Sequence, residues 1–297
     1  MNASVSPVRN LRERIGAGLF GRVAGPSGPA TRARIHGTPG PRWFGPERPI
    51  RTVHGDASMF IGGLSALLLQ SLHPLAMAAV AAHSGFRGDP WGRLQRTSTF
   101  LAVTTYGTAR DAEEAVARVR AVHERVRGTT SSGEPYHAAD PHLLGWVHVA
   151  EVDSFLRAHQ RFGAHPLTAE GCDGYLADTA RVARALGVPD PPCDRAELAA
   201  RLTAYRPELR ATPEARDAAR FILREPPLPW PVRAPYALLA VNAVSLLPLW
   251  ARLPLDLPHA PRAERFCVRP SGHALTKVIR WAMTPPPAPP PAPPPSP

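Results

Sequence analysis

The sequence predicts an all-α fold, and three observations carry the prediction. Alanine and leucine abound through the middle of the chain, and no run of alternating β-branched residues reads as a strand. Pro, Gly and Asp punctuate that middle roughly every 15 to 25 residues, a helix-length spacing. The expected architecture is a single helical-bundle domain of about nine helices over residues 51–283. A disordered basic arm, residues 1–50, precedes it and a polyproline tail, residues 284–297, follows.

The elements follow in order. Residues 1–50 mix Gly, Pro, Arg and Ser with little periodicity, and no secretory signal is visible there because Arg22 interrupts the weakly apolar stretch. Asp56–Ser84 is the first predicted helix. It is almost uncharged, but Gln70, His73 and Pro74 mark a buried core helix rather than a membrane span, since polar groups are costly in hydrocarbon. Trp91–Tyr106 follows the Asp89-Pro90 start signal. Ala109–Arg127 carries the stripe Ala112, Ala115, Val116, Val119, Val122 and Val126 and ends at Gly128. Pro141–Phe162 starts at Asp140-Pro141, an acceptor at the cap and a proline in the first turn. Thr168–Leu186 and Pro213–Leu223 open on Thr168-Ala-Glu170 and Thr212-Pro213-Glu214, with Gly187 placed to end the former. Arg195–Tyr205 lies between them. Pro235–Arg252 is the second strongly apolar helix, read as buried because Asn242 and Pro248 interrupt it, and Gly272–Met283 closes the bundle. The last 13 residues hold ten prolines, which permit only an extended polyproline II tail.

The charge has a distribution that changes its meaning. The chain carries 35 basic and 24 acidic residues, a net +11. Nine arginines against Glu13 and Glu47 give residues 1–51 a surplus of seven, and residues 262–280 hold five basic residues against Glu264, a surplus of four. The stretch between is balanced at 21 of each sign, so no nucleic-acid partner is expected of the domain, whereas peripheral membrane contact stays open. Three cysteines (Cys172, Cys193, Cys267) are widely spaced, which argues against a disulfide framework and a cysteine zinc site and makes a cytoplasmic location the expectation.

Histidines and arginines are the informative polar groups. His73, His123 and His148 lie within helices on or beside apolar faces, where a histidine is either a packed core residue or a ligand. His123 flanks the stripe of its helix, with Arg120 three residues before it. Arg93, Arg96 and Thr97 stand at i, i+3 and i+4 and project from one face, suited to a carboxylate or phosphate. A solvated face paired with a neighbour's acids is the alternative. His148 and Glu151 lie three apart on the next helix. A di-iron carboxylate scheme finds only Glu134-Pro-Tyr-His137, in a loop, and H-E-x-x-H, P-loop, G-x-G-x-x-G and G-x-S-x-G patterns are absent.

Three segments together carry a resemblance. LLLQSLHPLAMAAVAAHSGFRGDPWGRLQRT, then YGTARDAEEAVARVRAVHERVRG, then YHAADPHLLGWVHVAEVDS resemble the MpaB / rubber oxygenase (latex-clearing protein) catalytic domain, with matching order and spacing from Gly55 to Ser154 and a weaker likeness to Leu257. The resemblance implies an all-α protein that binds haem b and uses O2 on alkenes in a hydrophobic small-molecule or polymer substrate of isoprenoid type. It places His123 as axial iron ligand and Arg120 one turn away, with Arg93, Arg96 and Thr97 beside the haem. Arg96 and Thr97 stand as catalytic residues, His73 and His148 as further cofactor contacts. The rubber-cleaving branch has a lysine where Arg96 stands, and a guanidinium does not ligate iron. That branch's glutamate base has no clear counterpart. Asp56 is the one acid on its helix and the candidate for the role, with Asp89 second. A non-catalytic haem or lipid carrier on the same scaffold is the competing reading.

Overall fold

A computed structural model describes residues 7–83 and 87–284, and the described residues are helical almost throughout. The helices are α1 Pro7–Ala24, α2 Gly28–Gly37, α3 Pro49–His54, α4 Met59–Gln70, α5 Pro74–His83, α6 Pro90–Tyr106 and α7 Ala109–His123. A short antiparallel hairpin follows, β1 Arg127–Thr129 paired with β2 Pro135–His137. Then come α8 Pro141–Phe162, α9 Ala169–Leu186, α10 Arg195–Tyr205, α11 Pro213–Arg224, α12 Trp230–Leu246 and α13 Leu249–Arg252. The last helix starts at α14 Pro261–Ala263, widens into a π segment Glu264–Val268 and continues as α15 Arg269–Met283.

The all-α class holds, but the helices are more numerous and shorter than nine. The expected Asp56–Ser84 helix is two, broken at Ser71–His73 and bent by 107°, because Pro74 cannot continue the hydrogen-bond ladder of α4. Pro248 splits the late apolar helix in the same way, with a bend of 117°. No single helix among the described residues is long and apolar enough to cross a membrane, although the two bent pairs reach that hydropathy together. The end of the first expected helix at Ser84 and the polyproline segment from Pro285 lie outside the described residues.

Residues 7–54 correct the expectation of an unstructured arm. Their arginines serve as packing groups. Arg12 stacks over Trp281 and donates to the Thr284 carbonyl, and Arg22 lies 5.5 Å over Trp91. Arg42 donates to the carbonyls of Ile35 and Tyr106, and Arg48 Nε donates to the buried Asp178 at 2.8 Å. Stacking of cations on aromatic faces replaces the apolar periodicity that ordinarily signals a docked helix.

The core is centred on α8. Trp146, Val149, Ala150, Val152, Ala158 and Phe162 are buried against α4 on one side and α9, α10 and α12 on the others. Close approach of α4 and α8 requires Gly62, where a Cβ would meet Phe155 at 2.9 Å and Ala158 at 3.1 Å. Starts follow the sequence signals: Asp89, Thr108, Asp140, Thr168, Asp194 and Thr212 each accept a backbone N–H in the first turn. Gly187 closes α9 at φ 112°, a left-handed conformation open to glycine.

Candidate functional site

Helices α6 and α7, joined through Gly107 and Thr108, pack on each other. Helix α6 also packs on α1, α2 and α3, and α7 on α9. Among the described residues, neither builds a substantial interface with α8; α3 touches both α6 and α8, and α9 touches both α7 and α8.

His54, at the end of α3, touches α6, α8 and α9. Its Nδ1 lies 2.8 Å from Thr105 Oγ1 on α6 and its Nε2 3.4 Å from Tyr175 Oη on α9, while its ring meets Phe155 of α8 edge-on. Burial lowers its pKa to about 3, so the ring is neutral. Glu151 of α8 is raised to about 7 by burial, and its charge together with burial holds the Tyr175 phenol well above its ordinary value. His148, one turn before Glu151, is lowered to about 4 by burial and then by the charge of Arg184, and its Nε2 is buried without a hydrogen-bond partner. Arg93 on α6 is lowered by burial and by Arg96. His54, Arg93, His148 and Glu151 share one property: burial dominates their titration, yet none is fully covered by neighbours.

His123 continues the buried stripe of α7 formed by Ala112, Ala115 and Val116. Its Nδ1 is buried with no hydrogen-bond partner, and burial followed by the charge of His137 lowers its pKa, leaving it neutral at neutral pH. A cleft of about 160 Å³ opens beside it, lined by Arg120, Pro141, Leu144, Leu186 and Gly187 among others. Arg120 is exposed and donates to the Ala185 carbonyl at 3.3 Å. A larger cavity of about 540 Å³ between α1 and α2, lined by Phe20, Arg32 and His36, contains none of the expected site residues.

The predicted face of α6 divides. Arg93 is turned inward, whereas Arg96 and Thr97 are exposed and Arg96 pairs with Asp89 at 3.2 Å. Asp89 is in turn the N-cap of α6. Asp56 is a correction. Burial pushes its carboxyl up, but hydrogen bonds from Arg280 and Ser58 and the charge of Arg280 outweigh that and hold it at about 2. With Arg280 Nε at 2.7 Å and the Ala164 N–H also donating, it is an ion-paired anion and a weak base near neutral pH. His73 is likewise removed from the group. It sits at the α4–α5 bend beside His142, Trp146 and Glu208, whereas His148 projects from another side of α8. Sequence reasoning missed His54, Tyr175 and Glu208, which no local pattern marks, and it left Glu151 and His142 without a role.

The domain is all-α and places the imidazoles of His54 and His148 and the raised carboxyl of Glu151 on or against α8, with Arg93 on α6. Over residues 51–281 the chain matches the family described as ER-bound oxygenase mpaB/B'/rubber oxygenase, catalytic domain, and it belongs to that family. It is similar to an uncharacterized protein of Mycobacterium bovis and one of Mycobacterium tuberculosis, each 33% identical over 147 residues. Those residues are 49% of this chain and 57% of each relative, so the chain spans just over half their length. No solved structure matches.

Proposed function

We propose that the chain is a haem-dependent oxygenase that uses O2 to oxidise or cleave a carbon–carbon double bond in an apolar substrate, isoprenoid chains being the favoured class. Membership of an oxygenase family supports the reaction type. The observation that carries the cofactor reading is His123, a neutral imidazole whose buried Nδ1 has no partner. An iron ligand needs a neutral ring and a free lone pair, and a buried ring nitrogen without a partner leaves that lone pair available. The donor types suit haem b: His123 would hold the iron, Arg93 would neutralise a propionate, and His148 is a second neutral imidazole. Bound haem supplies the O2 chemistry. The chain's own part is to exclude water with the apolar α4 and α8, to fix the cofactor carboxylates with guanidinium groups, and to provide a carboxyl that exchanges a proton near neutral pH. Glu151, with its pKa near 7, takes the base role expected of Asp56.

The absorption spectrum of the full chain purified with haem available tests the assignment. A Soret band that is lost or shifted in His123→Ala is expected; no band, or one unchanged in that variant, refutes it. The capture of Asp56 by Arg280 favours a second reading, a haem or apolar-ligand carrier without turnover. O2 consumption with isoprenoid alkenes separates the two, because a carrier binds without consuming oxygen.

A further inference from the structure

Apart from the residues proposed to hold haem, three ligating side chains converge where the α4–α5 bend meets the start of α8 and the 3-10 turn after α10. His73 follows α4, His142 occupies the first turn of α8, and Glu208 ends the turn Arg206–Glu208. Their ligating atoms all lie within 4.8 Å of one another. His142 Nε2 is 2.7 Å and His73 Nε2 3.4 Å from the same oxygen, Glu208 Oε2. Bonds of about 2.0–2.1 Å to a tetrahedral ion separate neighbouring ligands by about 3.3 Å, so small side-chain movements close these atoms on one centre.

The histidine at the back of the cluster is the independent observation. His73 is 2% exposed, yet neither ring nitrogen makes a hydrogen bond, and the contact with Glu208 lacks the direction of one. A fully buried imidazole with an unused nitrogen aimed at a carboxylate and a second imidazole is the arrangement a cation completes. The surroundings are rigid. The Arg210 N–H donates to the Leu72 carbonyl at 2.9 Å, which ties the Glu208 segment to the His73 bend. Tyr205 Oη donates to the His142 carbonyl at 2.8 Å, and buried Trp146 packs on both Tyr205 and His73. The nearby Arg210 guanidinium turns toward Glu134, 3.8 Å away. On the outer side, His142 and Glu208 are 53% and 43% exposed, which leaves water access to the remaining coordination positions.

We infer that His73, His142 and Glu208 form a binding site for one divalent transition-metal ion, with Zn2+ the ion best matched to two imidazoles and a carboxylate, separate from the residues proposed to hold haem. Three protein ligands with an open outer position describe an exchangeable site rather than a closed structural one. The ion would clamp the α4–α5 bend to the start of α8, since its ligands come from three elements that are distant in sequence.

The test uses the untagged full chain, stripped with chelator and titrated with Zn2+, and with Co2+ as an optical probe. One equivalent per chain is expected, with ligand-field absorption of a four- or five-coordinate Co2+ and a rise in Tm on addition of Zn2+. His142→Ala and Glu208→Gln change exposed side chains, so folding survives. Each is expected to weaken binding at least about tenfold and to abolish the rise in Tm. His123→Ala, in the proposed haem site, should leave zinc binding unchanged. Unaltered affinity in both ligand variants, or no bound equivalent at micromolar free Zn2+, overturns the site. Loss of binding in His123→Ala places the ion elsewhere and overturns it too.

Discussion

Replacing Asp56 by asparagine separates a structural anion from a catalytic base, and the size of the effect follows from the structure. The carboxylate side chain is 8% exposed, receives Arg280 at 2.7 Å and takes backbone N–H bonds from Ser58 and Ala164. Its pKa falls from the ordinary 3.8 to about 2. A depression of that size corresponds to about 2–3 kcal/mol of stability. The folded pKa is depressed, so this contribution is fully present above about pH 5 and is lost as pH falls toward 2, with about half gone by pH 3. Asp56→Asn also leaves Arg280 half-buried without its counter-ion, which brings the loss at pH 7 to about 3–5 kcal/mol. Urea unfolding of both proteins from pH 7 to pH 2.5 measures the gap, which should be widest at pH 7 and narrow through the acid range. A gap below about 0.5 kcal/mol at pH 7, or one that does not narrow, refutes the reasoning. If the variant remains folded at low temperature, any activity should persist in it, because the acid near neutrality is Glu151.

Three further outcomes are expected. Arg252→Met should cost about 3–5 kcal/mol, since Glu264 pairs with that buried guanidinium at 2.6 Å, and adding Glu264→Gln should restore part of the loss; chemical denaturation of the two variants reads both values. Gly62→Val should cost about 1–3 kcal/mol by forcing α4 away from Phe155 and Ala158, and an unchanged Tm would show that the helix crossing is looser than it stands. Glu151→Gln should stabilise the protein at pH 8 and not at pH 4. The folded pKa is raised from 4.5 to about 7, so the native carboxyl opposes folding as pH rises through that window, by up to about 3 kcal/mol; parallel pH–stability curves for variant and parent would refute it.

Helices were legible in the sequence where an end carried its own chemistry. Asp140-Pro141 and Arg195–Tyr205 frame α8 and α10 with the bounds their residues suggest, because a capping oxygen and a first-turn proline act within a few residues. Helices α1 and α2 lacked such a signal. Their apolar faces are poor, and what docks them is long-range, as in Arg22 over Trp91 and Ser98 Oγ donating to the Val23 carbonyl. The β1–β2 hairpin was hidden for a similar reason, being three residues to a strand. For the candidate site, periodicity marked the face of α6 but could not say that Arg93 turns inward while Arg96 meets Asp89 in solvent. His142 and Glu208 stand 66 residues apart in the chain, and only the fold brings them to 2.7 Å.

The π segment at Glu264–Val268 governs more than local pitch. Each residue of an α-helix turns the following ones by about 100°, and a π segment accommodates one extra residue within the turn. Five residues of the wide turn advance the chain by about the rotation of four residues in a regular helix, so the extra residue is absorbed without turning α15. Removing one residue between Glu264 and Val268 would therefore restore regular winding and leave Arg280 on Asp56 and Ala282 beside Gly16 of α1. Removing one from a regular turn of α15 would instead swing the residues beyond it by about 100°. The wide turn is the one place in the C-terminal helix where a family alignment gap is compatible with unchanged anchoring.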